Sequence, residues 1–377
     1  MNKSLRLKNH GSDEPYFLCF RAKFDNPPNC AIIFLSTSFR GKFYMSEPYK
    51  KQHYVQKAVL KKFSNPIGNQ NCITILNLKQ KKIYDNNIDN VFFENWFYNL
   101  ENCDNALIIE NALKEKIEDP MSEIINRLEQ CSPTEFTITR QELETIKKYI
   151  LVQLYRNKRN QQCYGDETDK WKHEILYILQ TPYDELLKPN NQFLDILNFV
   201  WEMHCSFMMI VRTMDEFCIN DMGYATENVW GFDNYVFFPF SPHYALLQVS
   251  PKWKQYKLYG VPPMCSPILS KYFALPMPSY VNRAKIIKNE DIWKHRDKND
   301  KYTYKIFDIS SDDTRFLNTL TLNETLNIIG VHDANALSNS IIEFQNRAMC
   351  GGAKQNYDWF EDALKAYHEN KNKKHKK

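Results

Sequence analysis

Glycine is scarce, ten residues in a chain of 377. That shortage argues against barrels, β-helices and the Gly-rich loops that cradle phosphates. No Walker loop, dinucleotide fingerprint, nucleophile elbow or H-E-x-x-H pair occurs, which excludes P-loop NTPases, Rossmann enzymes and zincins. None of the ten cysteines forms a C-x-x-C pair, and most sit in apolar surroundings. Buried free thiols in a reducing compartment explain them better than disulfides or zinc. No apolar run approaches the roughly 18 residues that span a bilayer. The opening MNKSLRLKNHGSDEP carries no apolar stretch of secretory type, so the expected setting is cytoplasmic with no membrane partner. The charge surplus is only +4. Part of it sits in the tail Lys371 to Lys377, which reads as a solvated end.

Aromatic residues are plentiful by contrast, with 24 Phe and 22 Tyr, and can anchor a large core. Two alternating runs, Tyr16 to Phe24 and Cys30 to Phe39, flank Asp25-Asn26-Pro27-Pro28-Asn29 and read as a hairpin. Cys72 to Leu78 reads as a strand that turns at Lys79 to Lys82 into a return strand at Ile83-Tyr84. From Leu107 helical spacing takes over, and Asp119-Pro120 looks like a cap with proline in the first turn opening a second segment. Thr139-Arg140-Gln141-Glu142 is a capping box before a helix whose core stripe is Ile146, Ile150 and Leu154, leaving Gln153 at the margin. A further helix is expected over about Gln192 to Arg212. Period-two runs follow at Phe217 to Ile219, Tyr235 to Phe238 and Tyr244 to Val249, and a last helix over about Ala334 to Ala348. The expected class is α+β, with antiparallel β elements in the N-terminal and C-terminal parts packed on a central helical bundle.

The order of these segments resembles the bacterial family known as domain of unknown function 4238. That family opens with a His-Tyr-Val-Pro segment running into Tyr-Leu and Phe; here the stretch is His53-Tyr54-Val55-Gln56 through Leu60 and Phe63, with Gln56 in place of the proline. Ile73 to Ile83 is similar to its strand–turn–strand, and Phe97-Tyr98 with Glu110 to Glu118 to its aromatic pair before a glutamate-bearing helix. Tyr149 to Arg156 resembles its Gln-x-x-Arg helix end. Phe217 to Asp221 is similar to its strand ending in Asn-Asp, and Phe238-Pro239-Phe240-Ser241-Pro242 to its aromatic-Pro-x-Ser-Pro segment. The resemblance implies a single core domain over 50–350, with 1–49 as a hairpin addition and 351–377 as a C-terminal helix and basic tail. It implies no activity, but it nominates positions.

His53 can serve as a general base or metal ligand, or simply bond a nearby backbone group. Glu110 and Glu118, eight apart, project within about 80° of each other on a regular helix. They either hold a divalent ion or, with Glu115, face water. Gln153 and Arg156 share a helix side, and Arg156 offers a fork for phosphate or a buried pairing with Asp221. Asp221 ends a strand before Gly223, where a carboxylate suits catalysis, metal binding or an Asx turn. His243 can approach Asp221 if their strands pair. His204, Cys205 and Cys218 read as core, and His332-Asp333 as loop.

Two functions follow. One is a metal-dependent nuclease or phosphodiesterase, a role suited to bacterial defence or a toxin. His53, Glu118 and Asp221 would hold Mg²⁺ or Mn²⁺, with Gln153 and Arg156 completing the catalytic set. Nucleic acid would be met by the lysines at 50–51, 57–62 and 79–82, interleaved with Tyr54, Phe63 and Tyr84. The other is a non-enzymatic binding protein in which the polar cluster is a structural hydrogen-bond network and the N-terminal hairpin meets a protein partner.

Overall fold

The computed structural model describes residues 51–100, 107–157, 159, 169–188, 196–197, 200, 206–229, 232–249, 267–272, 279–280, 300–346 and 356–375. The N-terminal hairpin expected over 16–39 lies outside the described residues. Short β1 (Lys51–His53) leads into α1 (Lys57–Lys62). Then come β2 (Asn65–Ile67), β3 (Gln70–Asn77), β4 (Lys82–Asn87) and β5 (Phe93–Asn95), the last returning to pair antiparallel with β1. The helical middle holds α2 (Ile108–Leu113), a π turn (Lys114–Glu118) and α3 (Asp119–Gln130). After β6 (Glu135–Thr139) it continues with α4 (Arg140–Tyr155), α5 (Lys170–Gln180) and α6 (Tyr183–Leu186).

The second half is richer in strands: β7 (Phe207–Arg212), β8 (Ile219–Asn220), β9 (Ala225–Val229), β10 (Phe232–Pro239) and β11 (Tyr244–Val249). After α7 (Pro267–Tyr272) come β12 (Ser279–Tyr280), β13 (Lys301–Asp308), α8 (Ser311–Glu324) and β14 (Ile328–Val331). A 3₁₀ turn (Ala334–Leu337), α9 (Ser338–Asn346) and α10 (Phe360–His375) complete it. This is an α+β fold. The first sheet joins β2, β3, β14 and β8 in that order, with β4 also on β3, all antiparallel. The second runs β12-β13-β7-β11-β10-β9 with β6 on β13, and only its β13–β7 pairing is parallel.

The central strands β3 and β11 are covered on both faces, which explains their near-continuous apolar runs. Cys72 to Leu76 is buried without a break, Ile73 and Ile75 facing the main core and Leu76 the cluster beneath α10. In β11, Leu246 joins the main core while Ala245, Leu247 and Val249 face Phe316, Leu317 and Leu320 of α8. The capping box is formed: Thr139 accepts from the Glu142 N–H and Glu142 accepts from the Thr139 N–H.

Four expectations need correction. The helix expected up to Arg212 gives way to β7, because Phe207 to Val211 pair with β11, Phe207 opposite Val249 and Val211 opposite Ala245. No break separates the helices at Asp119-Pro120. Proline lacks the N–H that the Lys116 carbonyl would accept, and just before it the ladder slips by one residue, so that the Asp119 N–H bonds the Lys114 carbonyl. In α4, Gln153 is buried and Leu154 only partly so, the reverse of the stripe read from the sequence. The basic tail is helical as far as His375, with Lys371 donating to the Tyr367 hydroxyl at 3.1 Å.

Replacing Thr139 by Ala removes one half of the capping box and is expected to lower stability by about 1 kcal/mol. The readout is a lower urea midpoint with an unchanged slope.

Candidate functional site

The sequence-nominated residues meet at the C-terminal end of α4. Tyr149, Ile150 and Val152 bury this helix against the second sheet, Tyr149 packing edge-on to Phe238 and Phe240 at 6.1 and 5.9 Å. That packing carries the next turn, Gln153 and Arg156, into the interior. Both are fully buried. Gln153 Nε2 donates to the Tyr54 carbonyl at 3.0 Å and to the Met222 carbonyl at 2.8 Å. Its Oε1 accepts from Arg156 Nε at 2.8 Å. One amide thus ties together the segment after β1, the end of α4 and the turn after β8.

Gly223 makes the close approach possible. Its φ is +76°, and a Cβ there would lie 2.6 Å from Gln153 Nε2. Only glycine accepts both conditions.

Arg156 Nη1 donates to Glu118 Oε1 at 2.9 Å. Glu118 ends the π turn and keeps 24% of its side chain exposed. Gln56 Nε2 donates to the Glu118 backbone carbonyl at 2.8 Å, while Gln56 Oε1 and Arg156 Nη2, both buried, have no hydrogen-bond partner among the described residues. The π turn, wider than an α turn, rotates less per residue, so Glu110 and Glu118 subtend less than the angle of a regular helix. The two carboxylates sense each other. Burial foremost, then the Glu118 charge, lifts Glu110 from 4.5 to about 7 against the opposing pull of Arg156 and Lys57. The Tyr98 hydroxyl lies beside this group, interacts with Arg156 and donates to the His53 carbonyl at 2.9 Å.

The remaining candidates point elsewhere. His53 is buried with Nε2 on the Ile88 carbonyl at 3.1 Å, and desolvation first, then Lys57, lowers it to about 4, so it is neutral at pH 7. Asp221 is wholly buried: Oδ1 accepts from the Leu326 N–H at 2.9 Å, and Oδ2 from those of Asn327 and Ile328 at 2.7 and 3.3 Å. It fastens the approach to β14 and does not pair with Arg156. Burial lifts its carboxyl above the ordinary value despite those three bonds. His243 Nδ1 contacts the Asp215 carbonyl, and His332 Nδ1 the Glu216 carboxylate, both at 2.9 Å. Glu115 is exposed beside Lys116, and the Cys218 thiol is pushed by burial to about 12. His204 and Cys205 lie outside the described residues. Among the described residues no group of three or more His, Cys, Asp or Glu is arranged to hold a metal ion. No helix among them is long and apolar enough to cross a membrane. Glu110 was nominated only as a weak carboxylate; nothing in its spacing announces the π turn that gathers it with Glu118. Gln56 carried no signal except its departure from the family proline.

A model of the family described as protein of unknown function, DUF4238, matches residues 51–334. No curated protein and no solved structure matches the chain.

Gly223→Ala combines a strained backbone with collision on Gln153 and is expected to cost about 3 kcal/mol. Gly68, at φ +60° with open space around it, serves as the control; its alanine variant should lose only about 1 kcal/mol. Urea titrations of both variants check this. The pH dependence of stability carries two opposed contributions. Glu110 binds its proton more tightly when folded, so its contribution is full below 4.5 and is lost as pH rises to about 7. His53 binds its proton less tightly when folded, so its contribution is full above 6.5 and is lost as pH falls toward 4. Relative to the parent, Glu110→Gln should therefore be more stable at pH 7.5 than it is at pH 4.5, measured by unfolding free energies at both.

Proposed function

The chain belongs to the DUF4238 family, and we propose that it is a metal-dependent phosphodiesterase of the nuclease kind, with its chemistry at the Glu110–Glu118 pair. The observation that carries this reading is the pairing itself: two carboxylates gathered beside a π turn, one ion-paired to buried Arg156, the other protonated up to about 7 by burial and its neighbour. A carboxylate shifted by desolvation together with a specific charged neighbour is a functional-site candidate.

Mg²⁺ or Mn²⁺ suits the donor set. Mg²⁺ typically keeps several waters and is held by one or two carboxylates together with substrate phosphate, so a third protein ligand is unnecessary. Arg156 fixes Glu118 Oε1 and leaves Oε2 for the cation. Glu110 must release its proton to become the second ligand. When bound, the ion would polarise the phosphoryl oxygens and acidify a water. Lys57, which acts electrostatically on Glu110, adds positive charge at the rim. Gln153, Gly223, His53 and Asp221 then serve as the frame that holds α4 and the strand ends in place. Destruction of foreign nucleic acid in bacterial defence is the proposed setting.

A second reading, a non-enzymatic binding protein, is favoured by one observation: the Asp221 carboxylate has both oxygens committed to backbone N–H groups, as in a purely structural network.

The purified chain incubated with labelled RNA and DNA in Mg²⁺ or Mn²⁺ should cleave one of them, with none in EDTA. Glu110→Gln and Glu118→Gln should each lose about a hundredfold or more. Calorimetry should detect Mn²⁺ binding that releases a proton at pH 6 and none at pH 8.5, because Glu110 is already ionised there. Absence of both cleavage and metal binding would leave the second reading.

A further inference from the structure

The sequence assigns base stacking to Tyr54, Phe63 and Tyr84. Tyr54 and Phe63 are buried in the main core, and Tyr84 is half-buried, its hydroxyl accepting from Asn77. Recognition beside the carboxylate pair therefore falls to polar groups, and two polar atoms there stand unmet.

Gln56 immediately precedes α1, yet its side chain makes no cap bond to that helix. It is fully buried instead, with Nε2 donating to the Glu118 carbonyl at 2.8 Å. A carbonyl only accepts, so the amide is held with its nitrogen on Glu118, and Oε1 is the atom left over. Arg156, also fully buried, reaches the same residue through its carboxylate. Its Nε is spent on Gln153 at 2.8 Å and its Nη1 on Glu118 Oε1 at 2.9 Å, which leaves Nη2. Gln56 Oε1 and Arg156 Nη2 are both shielded from water, and neither has a hydrogen-bond partner among the described residues.

Each leftover atom shares a carbon with a nitrogen that bonds Glu118, so hydrogen bonds place both of them around that one residue. Glu118 keeps 24% of its side chain exposed, and the two atoms thus lie one residue in from solvent. Native folds seldom leave buried polar atoms unmet, and each one calls for a water, an ion or a ligand. The two atoms ask for opposite things. Gln56 Oε1 needs a donor, and Arg156 Nη2 needs an acceptor. A cation would meet the amide oxygen but would be repelled by the guanidinium. A phosphate alone would meet the guanidinium and leave the amide oxygen unmet. A ribonucleotide brings both, a 2′-hydroxyl that donates and, on the adjoining sugar carbon, a phosphate whose oxygens accept. Deoxyribose lacks the donor.

We propose that Gln56 and Arg156 form a ribose–phosphate subsite of the Glu110–Glu118 centre, Gln56 Oε1 accepting from a 2′-hydroxyl and Arg156 Nη2 donating to the adjoining phosphate. RNA is then the substrate. The proposal rests on the phosphodiesterase reading and supplies its substrate class. Glu118 is the side chain that yields to admit the sugar. A site with a buried acceptor discriminates against a ligand that lacks the matching donor, because the acceptor then stays unpaired.

Binding is measured on the full chain in EDTA, by fluorescence anisotropy of labelled 12-nucleotide single strands of one sequence: RNA, 2′-fluoro RNA and DNA. Fluorine keeps the sugar in its RNA-like pucker and offers no donor. The parent should bind RNA about tenfold more tightly than either other strand, the order of effect of one buried hydrogen bond. Gln56→Leu should bind RNA and 2′-fluoro RNA alike. Damage to the fold would weaken both strands together, so the loss of the ratio carries the test, and the strand series on the parent stands even if Gln56→Leu does not fold. Arg156→Lys, which gives up the planar fork, should weaken all three strands and preserve the ratio. Equal binding of RNA and 2′-fluoro RNA by the parent would mean that water alone fills the place and would overturn the proposal, as would a preference that survives in Gln56→Leu or no binding of any strand. An RNA preference that Gln56→Leu abolishes, without cleavage in the separate Mg²⁺ assay, overturns only the phosphodiesterase reading. Cleavage of RNA and DNA at equal rates overturns only this one.

Discussion

Gln153 has one amide and three obligations. Its N–H₂ group satisfies the carbonyls of Tyr54 and Met222, and its oxygen receives Arg156. Each of these groups is buried, so none can turn to water if the amide moves. An unpaired buried carbonyl or guanidinium N–H costs about 1–3 kcal/mol, more when charged. The constraint is therefore one-sided. The arrangement contributes modestly while intact and costs heavily when any member is lost. It also demands a backbone without a Cβ at residue 223, which is why a glycine follows Met222 in a chain otherwise poor in glycine.

The consequences reach outward along the fold. With Gln153 fixed, Arg156 is directed at Glu118, and Glu118 is fixed in turn through both its side chain and its carbonyl, the latter bound by Gln56. The π turn that ends at Glu118 cannot revert to a regular α turn, since Pro120 offers no N–H and the ladder has already slipped. Glu110 is thereby held near a second carboxylate in a half-buried place, and retains its proton to about neutral pH. The perturbed acid is a downstream product of a glutamine, a proline and a glycine, none of which has any acid–base chemistry of its own.

Much of the architecture was legible from pattern alone. The strand–turn–strand at 70–87, the capping box at Thr139 and the paired strands at 235–249 follow local rules that survive folding, because turn chemistry and alternation act over a few residues. The helix expected through Arg212 fails for a complementary reason: Phe207 to Val211 are apolar in either period, and only pairing with β11 decides between helix and strand. Arg156 and Glu118 were nominated from their residue types and are joined in the fold. Asp221 and His53 were nominated alike, and tertiary contacts turn both toward backbone groups instead.

What the chain determined unaided was local: an α+β class, several of its strands and helices, the cap and turn residues, and a set of polar residues with something to do. What only tertiary structure decided was which of those residues meet. Proximity between residues 54, 110, 118, 153, 156 and 223 depends on burying two sheets and a helical layer against one another, and area burial carries no address written into any short stretch. The ionisation of Glu110 is settled the same way, since desolvation and a neighbouring charge exist only after the chain has closed around them.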